Sequence, residues 1–376
     1  MPLHLAWRIL VDQKGRTALA TGGIFVAILL IFVELGFFMA VPQGGLLIYD
    51  HMRFDLLVCS NKYVFQSGSG QFPRARLQAA MTVPEVAQAS PFYLGTAKWQ
   101  DTGGGLKLDI AVIGIDPRAG VFTVPDIERQ IPALETPDTV LVDSTTRPLF
   151  GALTAGRVVE LAGRRVAIGG QYVLGTGFLG LGIALASETN FFRLFPYRPP
   201  DTVNLGLVTL KPGADPERAA RALRAVLPAD TQVFTRAGLV AQEVSYWTTR
   251  TATGIIFGSG LVVSFVVGIM VLYQTLATQI TRQLPQFATL KAIGYTNRYL
   301  NGVVLVESFL IMAVAFLPAL GAALLVYAVV RSQTLLPLRL GASELGMVFA
   351  ITLVMAAASA FLSLSGLRRA DPAEVF

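Results

Sequence analysis

Chemistry on a protein needs a nucleophile, a base or a ligand set brought together, and this sequence is poor in all three. Its two histidines, His4 and His51, and its single cysteine, Cys59, supply neither a metal cluster nor a nucleophile–base–acid set. Cys59 reads as a small buried hydrophobe. No G-x-x-x-x-G-K-[ST] occurs, so the chain has no P-loop for ATP. One G-x-G-x-x-G match, GTGFLG at 175–180, follows a strand-like run but precedes no helical pattern, and it reads as a Gly-rich turn. The inventory argues against an enzyme and against any cofactor or metal bound by this chain.

Two acids stand inside apolar runs, Glu34 and Glu307, where a carboxylate costs about 2.5–3.5 kcal/mol on insertion scales. Glu307 lies a turn or two from the expected boundary, where interfacial solvation suffices. For Glu34, deeper in its run, three roles stay open: a cavity or inter-helix contact, interfacial solvation, or proton binding. No relay of further acids or histidines accompanies it.

The stretch with a distinct interaction chemistry is Thr281–Leu300, TRQLPQFATLKAIGYTNRYL. Arg282, Lys291 and Arg298 are basic and no acid occurs in it. Pro285 lacks an N–H and is expected to open a short helix of its own. Phe287, Leu290 and Ile293 recur at helical spacing as an apolar stripe. Gly294 is the expected stop, and Thr296 or Asn297 the next N-cap. A stubby amphipathic helix here is expected to dock on a partner.

Stepping from these residues to their elements, 53% of the 376 residues are hydrophobic and 14% charged, too apolar for an ordinary soluble enzyme. Four runs meet the length and charge criterion for membrane helices: residues 18–41, 251–280, 301–330 and 345–367. The expected fold is an integral membrane α-helical protein of four spans, with a large mixed α/β extracytoplasmic domain between the first and second. Residues 1–17 suit an interfacial amphipathic helix, with Trp7 at headgroup level and Arg8 on the polar face. Lys and Arg flanking the spans place both termini and the 281–300 loop in the cytoplasm of an inner (plasma) membrane protein. Residues 331–344 form a short external loop, and 368–376 a cytoplasmic tail. The net charge of +6 is a positive-inside bias and not a nucleic-acid footprint.

The insert, 42–250, is expected to hold an α/β lobe (about 45–116 plus 201–237) and a β-rich lobe (about 117–200). Residues 238–250 are expected to run as helix into the second span. That span is long enough either to tilt or to project stiffly from the bilayer. Gly254 and Gly258 are spaced i, i+4, as are Gly260, Ser264 and Gly268, the spacing that lets helices approach closely in lipid. The stripe is read as a helix–helix face, across a homodimer axis or against the chain's own spans.

The layout resembles the MacB/FtsX-type (type VII) ABC transporter permeases, and most of all the DevC-like exporter branch. The residues carrying this are LAWRIL at 5–10, VGIMVLYQTLATQI at 267–280, LPQFATLKAIGY at 284–295 and LRRADPAEVF at 367–376, with VIGIDP at 112–117 matching in style. The resemblance implies a homodimer on a dimer of separate ABC ATPase subunits, which would bind the ATP and Mg. Pro285, Gln286, Phe287, Leu290, Lys291, Ile293 and Gly294 would then form the coupling helix. Gln286 stands where the family carries an acid, so contact would rest on Phe287, Leu290 and Lys291. It further implies a periplasmic membrane-fusion adaptor, an outer-membrane channel reached indirectly, and export of a lipid or amphiphile, plausibly a glycolipid. The alternative is an FtsX-like transmitter that switches an envelope enzyme and transports nothing.

Overall fold

The computed structural model describes the backbone of residues 14–177, 179–334, 338 and 340–367, with side chains for all of these except 14–20, 287–288, 333–334 and 365–367. Trp7 and Arg8 lie outside the described residues, as does the tail from 368. The chain divides into two compact units: one holds residues up to Val41 and from Ala252 onward, the other is Pro42–Thr251.

The first helix, α1, covers Lys14–Asp50 and continues past the expected end at residue 41 with Pro42 inside it. Pro42 forfeits one hydrogen bond, to the carbonyl four residues back. Beyond it, Leu46, Ile48 and Tyr49 are buried in an apolar cluster, and that burial holds the extra turns in place.

The inserted unit follows in order: β1 (Leu56–Ser60), β2 (Phe72–Pro73), α2 (Ala75–Ala80), β3 (Val86–Asp101), β4 (Leu108–Ile115), α3 (Pro125–Leu134), β5 (Thr139–Asp143) and β6 (Val158–Leu161). Then come β7 (Arg164–Tyr172), β8 (Ile183–Ser187), α4 (Glu188–Leu194), β9 (Thr202–Val203), β10 (Leu205–Leu210), α5 (Pro216–Val226), β11 (Thr231–Thr235) and α6 (Arg236–Ser245). Nine strands form one sheet in the order β11-β1-β10-β3-β4-β8-β5-β7-β6, and β6 pairs again with β3. That last pairing, Trp99 opposite Leu161, closes β3, β4, β8, β5, β7 and β6 into a ring.

The expected division into two lobes is therefore corrected. A single strand, β3, is long enough to pair with β10 over residues 86–92 and with β4 and β6 farther along, so the α/β limb and the β-rich ring share it. β4, assigned to the α/β lobe, is part of the ring. Alternate residues of β4 face different apolar clusters: Ile110 and Val112 one, Ala111, Ile113 and Ile115 the other. Burial on both faces explains why this strand reads as an unbroken apolar run.

The helix expected over 238–250 is present but does not run on into the second span. After α6 the backbone widens into a π turn, Tyr246–Arg250, and Thr251 is extended at φ −98° and ψ 145°.

The membrane unit continues with α7 (Ala252–Ala292), α8 (Asn297–Thr334) and α9 (Ala342–Leu367). Four segments are long and apolar enough to cross a membrane: Thr21–Asp50, Ala252–Gln286, Asn297–Ser332 and Ala342–Leu364. Their shared core takes Ile24, Ile28 and Phe32 from α1, Leu272 and Leu276 from α7, Ile311 and Ala315 from α8, and Met355 and Ala356 from α9. Polar side chains bridge the helices. Ser308 Oγ donates to the Ala356 carbonyl at 2.8 Å, Ser359 Oγ to Ile269 at 3.0 Å, and the Tyr327 hydroxyl to Phe32.

Candidate functional site: the turn between α7 and α8

Pro285 does not separate the basic segment from the second span, because α7 runs through it to Ala292. The proline leaves the Thr281 carbonyl without its usual partner, while helix remains the conformation that satisfies every other backbone group near the bilayer. The expected coupling helix is thus the last two turns of α7.

The end of α7 is closed by its own backbone. Gly294 has φ +106°, its N–H donates to the Lys291 carbonyl at 3.0 Å, and the Tyr295 N–H reaches back to Leu290 at 3.1 Å. These paired bonds are a Schellman motif with glycine in the left-handed position. α8 starts at once: the Tyr299 N–H lies 3.4 Å from Thr296 Oγ1 and 2.9 Å from the Thr296 carbonyl. Thr296, and not Asn297, is therefore the N-cap.

The apolar stripe divides between two environments. Leu290 is half-buried and packs with Tyr299 and Leu364 on a cluster of Ile280, Leu300 and Val304. Ile293 is 71% exposed, and Pro285, Gln286 and Lys291 are exposed with it. The Phe287 side chain lies outside the described ones. Arg282 and Arg298 are exposed too, so the turn presents positive charge around one bare isoleucine. Such a surface suits an acidic partner offering an apolar pocket. Among the described residues, no three His, Cys, Asp or Glu side chains group as a metal site.

The small-residue face of α7 meets this chain's own helices. A Cβ at Gly258 would stand 3.2 Å from the Phe38 ring, one at Gly260 2.5 Å from the Glu34 carboxyl carbon, and one at Gly268 against Met355 and 3.3 Å from Ala27. Gly254 and Ser264 are buried. These contacts lie within the chain. Glu34 thus sits at an inter-helix contact, beside Gly260. Glu307 corrects its expectation: it is 1% exposed, so protein and not interfacial water surrounds it, and its Oε1 has no hydrogen-bond partner.

One polar cluster escaped the sequence reading. Glu243 on α6 is buried and accepts from the Tyr63 hydroxyl and from Trp247 Nε1 at 3.0 Å, while Tyr63 and Tyr49 share a hydrogen bond of 2.8 Å. Burial raises the Glu243 carboxyl above the usual carboxylate range, against the lowering effect of its hydrogen bonds. The Tyr63 hydroxyl is raised as well, first by burial. Gly45 lets the Trp247 indole lie on α1, where any Cβ would collide with it. Four residues scattered from 49 to 247 carry no spacing signal. Only the approach of α6 to β1 and α1 within this unit brings them together.

Residues 258–372 match the FtsX-like permease C-terminal family, an interval that covers most of α7, the turn, α8 and α9. No curated protein matches the sequence. Among solved structures, the chain is similar to the periplasmic region of MacB from Actinobacillus actinomycetemcomitans, at 10% identity and a TM-score of 0.37 over 48% of this chain and 88% of that one. It is also similar to the extracellular domain of the noncanonic ABC-type transporter YknZ from Gram-positive bacteria, at 13% identity and a TM-score of 0.34 over 48% of this chain and 99% of that one.

Proposed function

We propose, from the premise that the chain is a permease of the MacB/FtsX kind with its FtsX-like domain at 258–372, that it is the non-catalytic membrane subunit of an ATP-driven exporter. A separate ABC ATPase docks on the α7–α8 turn from the cytoplasm, where both termini also lie, and its nucleotide-driven motion is carried through the spans to the inserted domain. The cargo is an amphiphile, with a glycolipid the leading candidate, handed to a periplasmic adaptor and an outer-membrane duct.

One observation carries this reading: an exposed, acid-free turn, capped at both helices, inside the FtsX-like domain. Lys291, Arg298 and Ile293 are the contact residues, because they are exposed whereas Leu290 is partly committed to the chain's own core.

The test is co-purification of the ATPase with the full chain from native membranes. Ile293→Asp and Lys291→Glu each should cut recovery of the ATPase by tenfold or so, equivalent to about 1.4 kcal/mol, while the yield of inserted permease is unchanged. Undiminished recovery of the ATPase with both variants would refute the docking site. Transport is separable from docking: reconstituted complex should move a lipid out of the bilayer only with ATP and adaptor present.

A further inference from the structure

A polar cleft within the inserted unit is left unused by this reading. It opens beyond the carboxyl ends of two parallel strands, β4 and β8, whose last residues, Ile115 and Ser187, are paired. That is where α/β sheets leave room for a ligand. Asp116 and Arg118 follow β4, Glu135 follows α3, and Asn190, Phe192 and Arg193 come from α4. The volume, about 530 Å³, falls within the usual span of small-molecule sites, about 300–1,000 Å³.

The walls are fixed by the chain itself. Asn190, 3% exposed, donates from Nδ2 to the carbonyls of Leu134, Thr136 and Thr139 and accepts from the Asp138 N–H at 3.0 Å, which holds the loop after α3 against α4. Arg193 is held by Asp138 through bonds of 3.0 and 2.7 Å. Glu188 accepts from Arg74 and, at 3.0 Å, from the Tyr93 hydroxyl. With these pairs closed, three charged groups lining the cleft have no ion-pair partner among the described residues: the carboxylates of Asp116 and Glu135 and the guanidinium of Arg118. Glu135 and Arg118 are exposed, while Asp116 accepts from the Arg118 N–H at 3.0 Å and interacts with Arg74 only at longer range. Ser187, 5% exposed, uses its Oγ to accept from the Asn190 N–H at 3.3 Å. Its hydroxyl proton has no acceptor among the described residues and can serve one brought by a ligand.

We infer that this cleft binds a basic amino acid, Arg118 and the Ser187 hydroxyl taking its carboxylate and Asp116 and Glu135 its two cationic groups. Charge decides the class. Two carboxylates against one guanidinium repel a plain anion and leave a neutral zwitterion one contact short, whereas two cations and one carboxylate match them one for one. Phe192, half-buried, and Pro137 line the same cleft and offer apolar contact to the methylene chain between the charged ends. The site is independent of whether the chain exports or signals.

The test is calorimetric titration of the full chain in detergent with L-lysine and two truncated forms of it: cadaverine, which lacks the carboxylate, and 6-aminohexanoate, which lacks the α-ammonium. L-Lysine should bind saturably, and each truncated probe about tenfold more weakly. Arg118→Ala should weaken L-lysine by about tenfold and leave cadaverine unchanged, whereas Glu135→Gln should weaken both. Absence of saturable binding by L-lysine, cadaverine binding as tightly as L-lysine, or Arg118→Ala weakening both probes alike would each overturn the assignment. Arg118 and Glu135 are exposed, so the variants should fold; an unchanged unfolding temperature checks this.

Discussion

At the scale of single residues, Glu243 is the group whose titration the fold controls. Its carboxyl is buried among Tyr63, Trp247 and, one step away, Tyr49 and Cys59, and burial raises it from the ordinary 4.5. The folded chain therefore keeps a proton that the unfolded chain has released. The stabilising contribution is full below about pH 4.5 and is lost as pH rises through the folded value. Thermal unfolding of the full chain in detergent, followed by tryptophan emission, should show stability falling with pH across that window. Glu243→Gln should flatten the slope, and a variant keeping the parent's slope would show that another group is responsible. Tyr63→Phe removes a hydrogen-bond partner from a buried carboxyl group, and the expected loss is about 1–3 kcal/mol.

Among the elements, two glycines separate conformational from steric need. At Gly294 and Gly302 an added Cβ meets nothing within 4 Å, but only Gly294 has a positive φ, +106°. Gly294→Ala should thus destabilise the α7–α8 turn by about 1–2 kcal/mol through backbone strain alone. Gly302→Ala, in the body of α8, should stabilise by about 0.5–1 kcal/mol. Opposite shifts in unfolding temperature are the signature; shifts of one sign would mean the Schellman closure is not what holds the turn. The second span was expected to be a possible rod into the inserted domain. The extended Thr251 interrupts helix at that point, whereas α1 is unbroken from Lys14 to Asp50.

For the molecule as a whole, the small-residue face of α7 is filled from within. Gly268→Leu would drive a side chain into Met355 and Ala27, and overpacking of this kind costs about 1–3 kcal/mol. The expected outcome is a lower unfolding temperature of each copy, measured where copies are dilute. Weakened crosslinking between copies with no change in that temperature would return the stripe to a dimer axis. The exposed α7 side chains, among them Ile256, Val262, Val263 and Met270, lie off that face.

Much of the architecture is local and was legible in order of residues: the four apolar runs, the stop at Gly294 and a cap at Thr296 or Asn297, of which the fold uses Thr296. Each depends on hydropathy, propensity or capping summed over contiguous residues, so a linear reading suffices. Pro285 misled because its missing N–H is a local defect, whereas whether a helix breaks there depends on what the next turns bury, in this case Leu290 against Leu300 and Val304. The closing of β3 on β6, the occupants of the small-residue face, the burial of Glu307 and the meeting of Tyr49, Tyr63, Glu243 and Trp247 are pairings between distant segments. Spacing along the chain carries no trace of them, because their energies exist only once tertiary packing has chosen which faces meet.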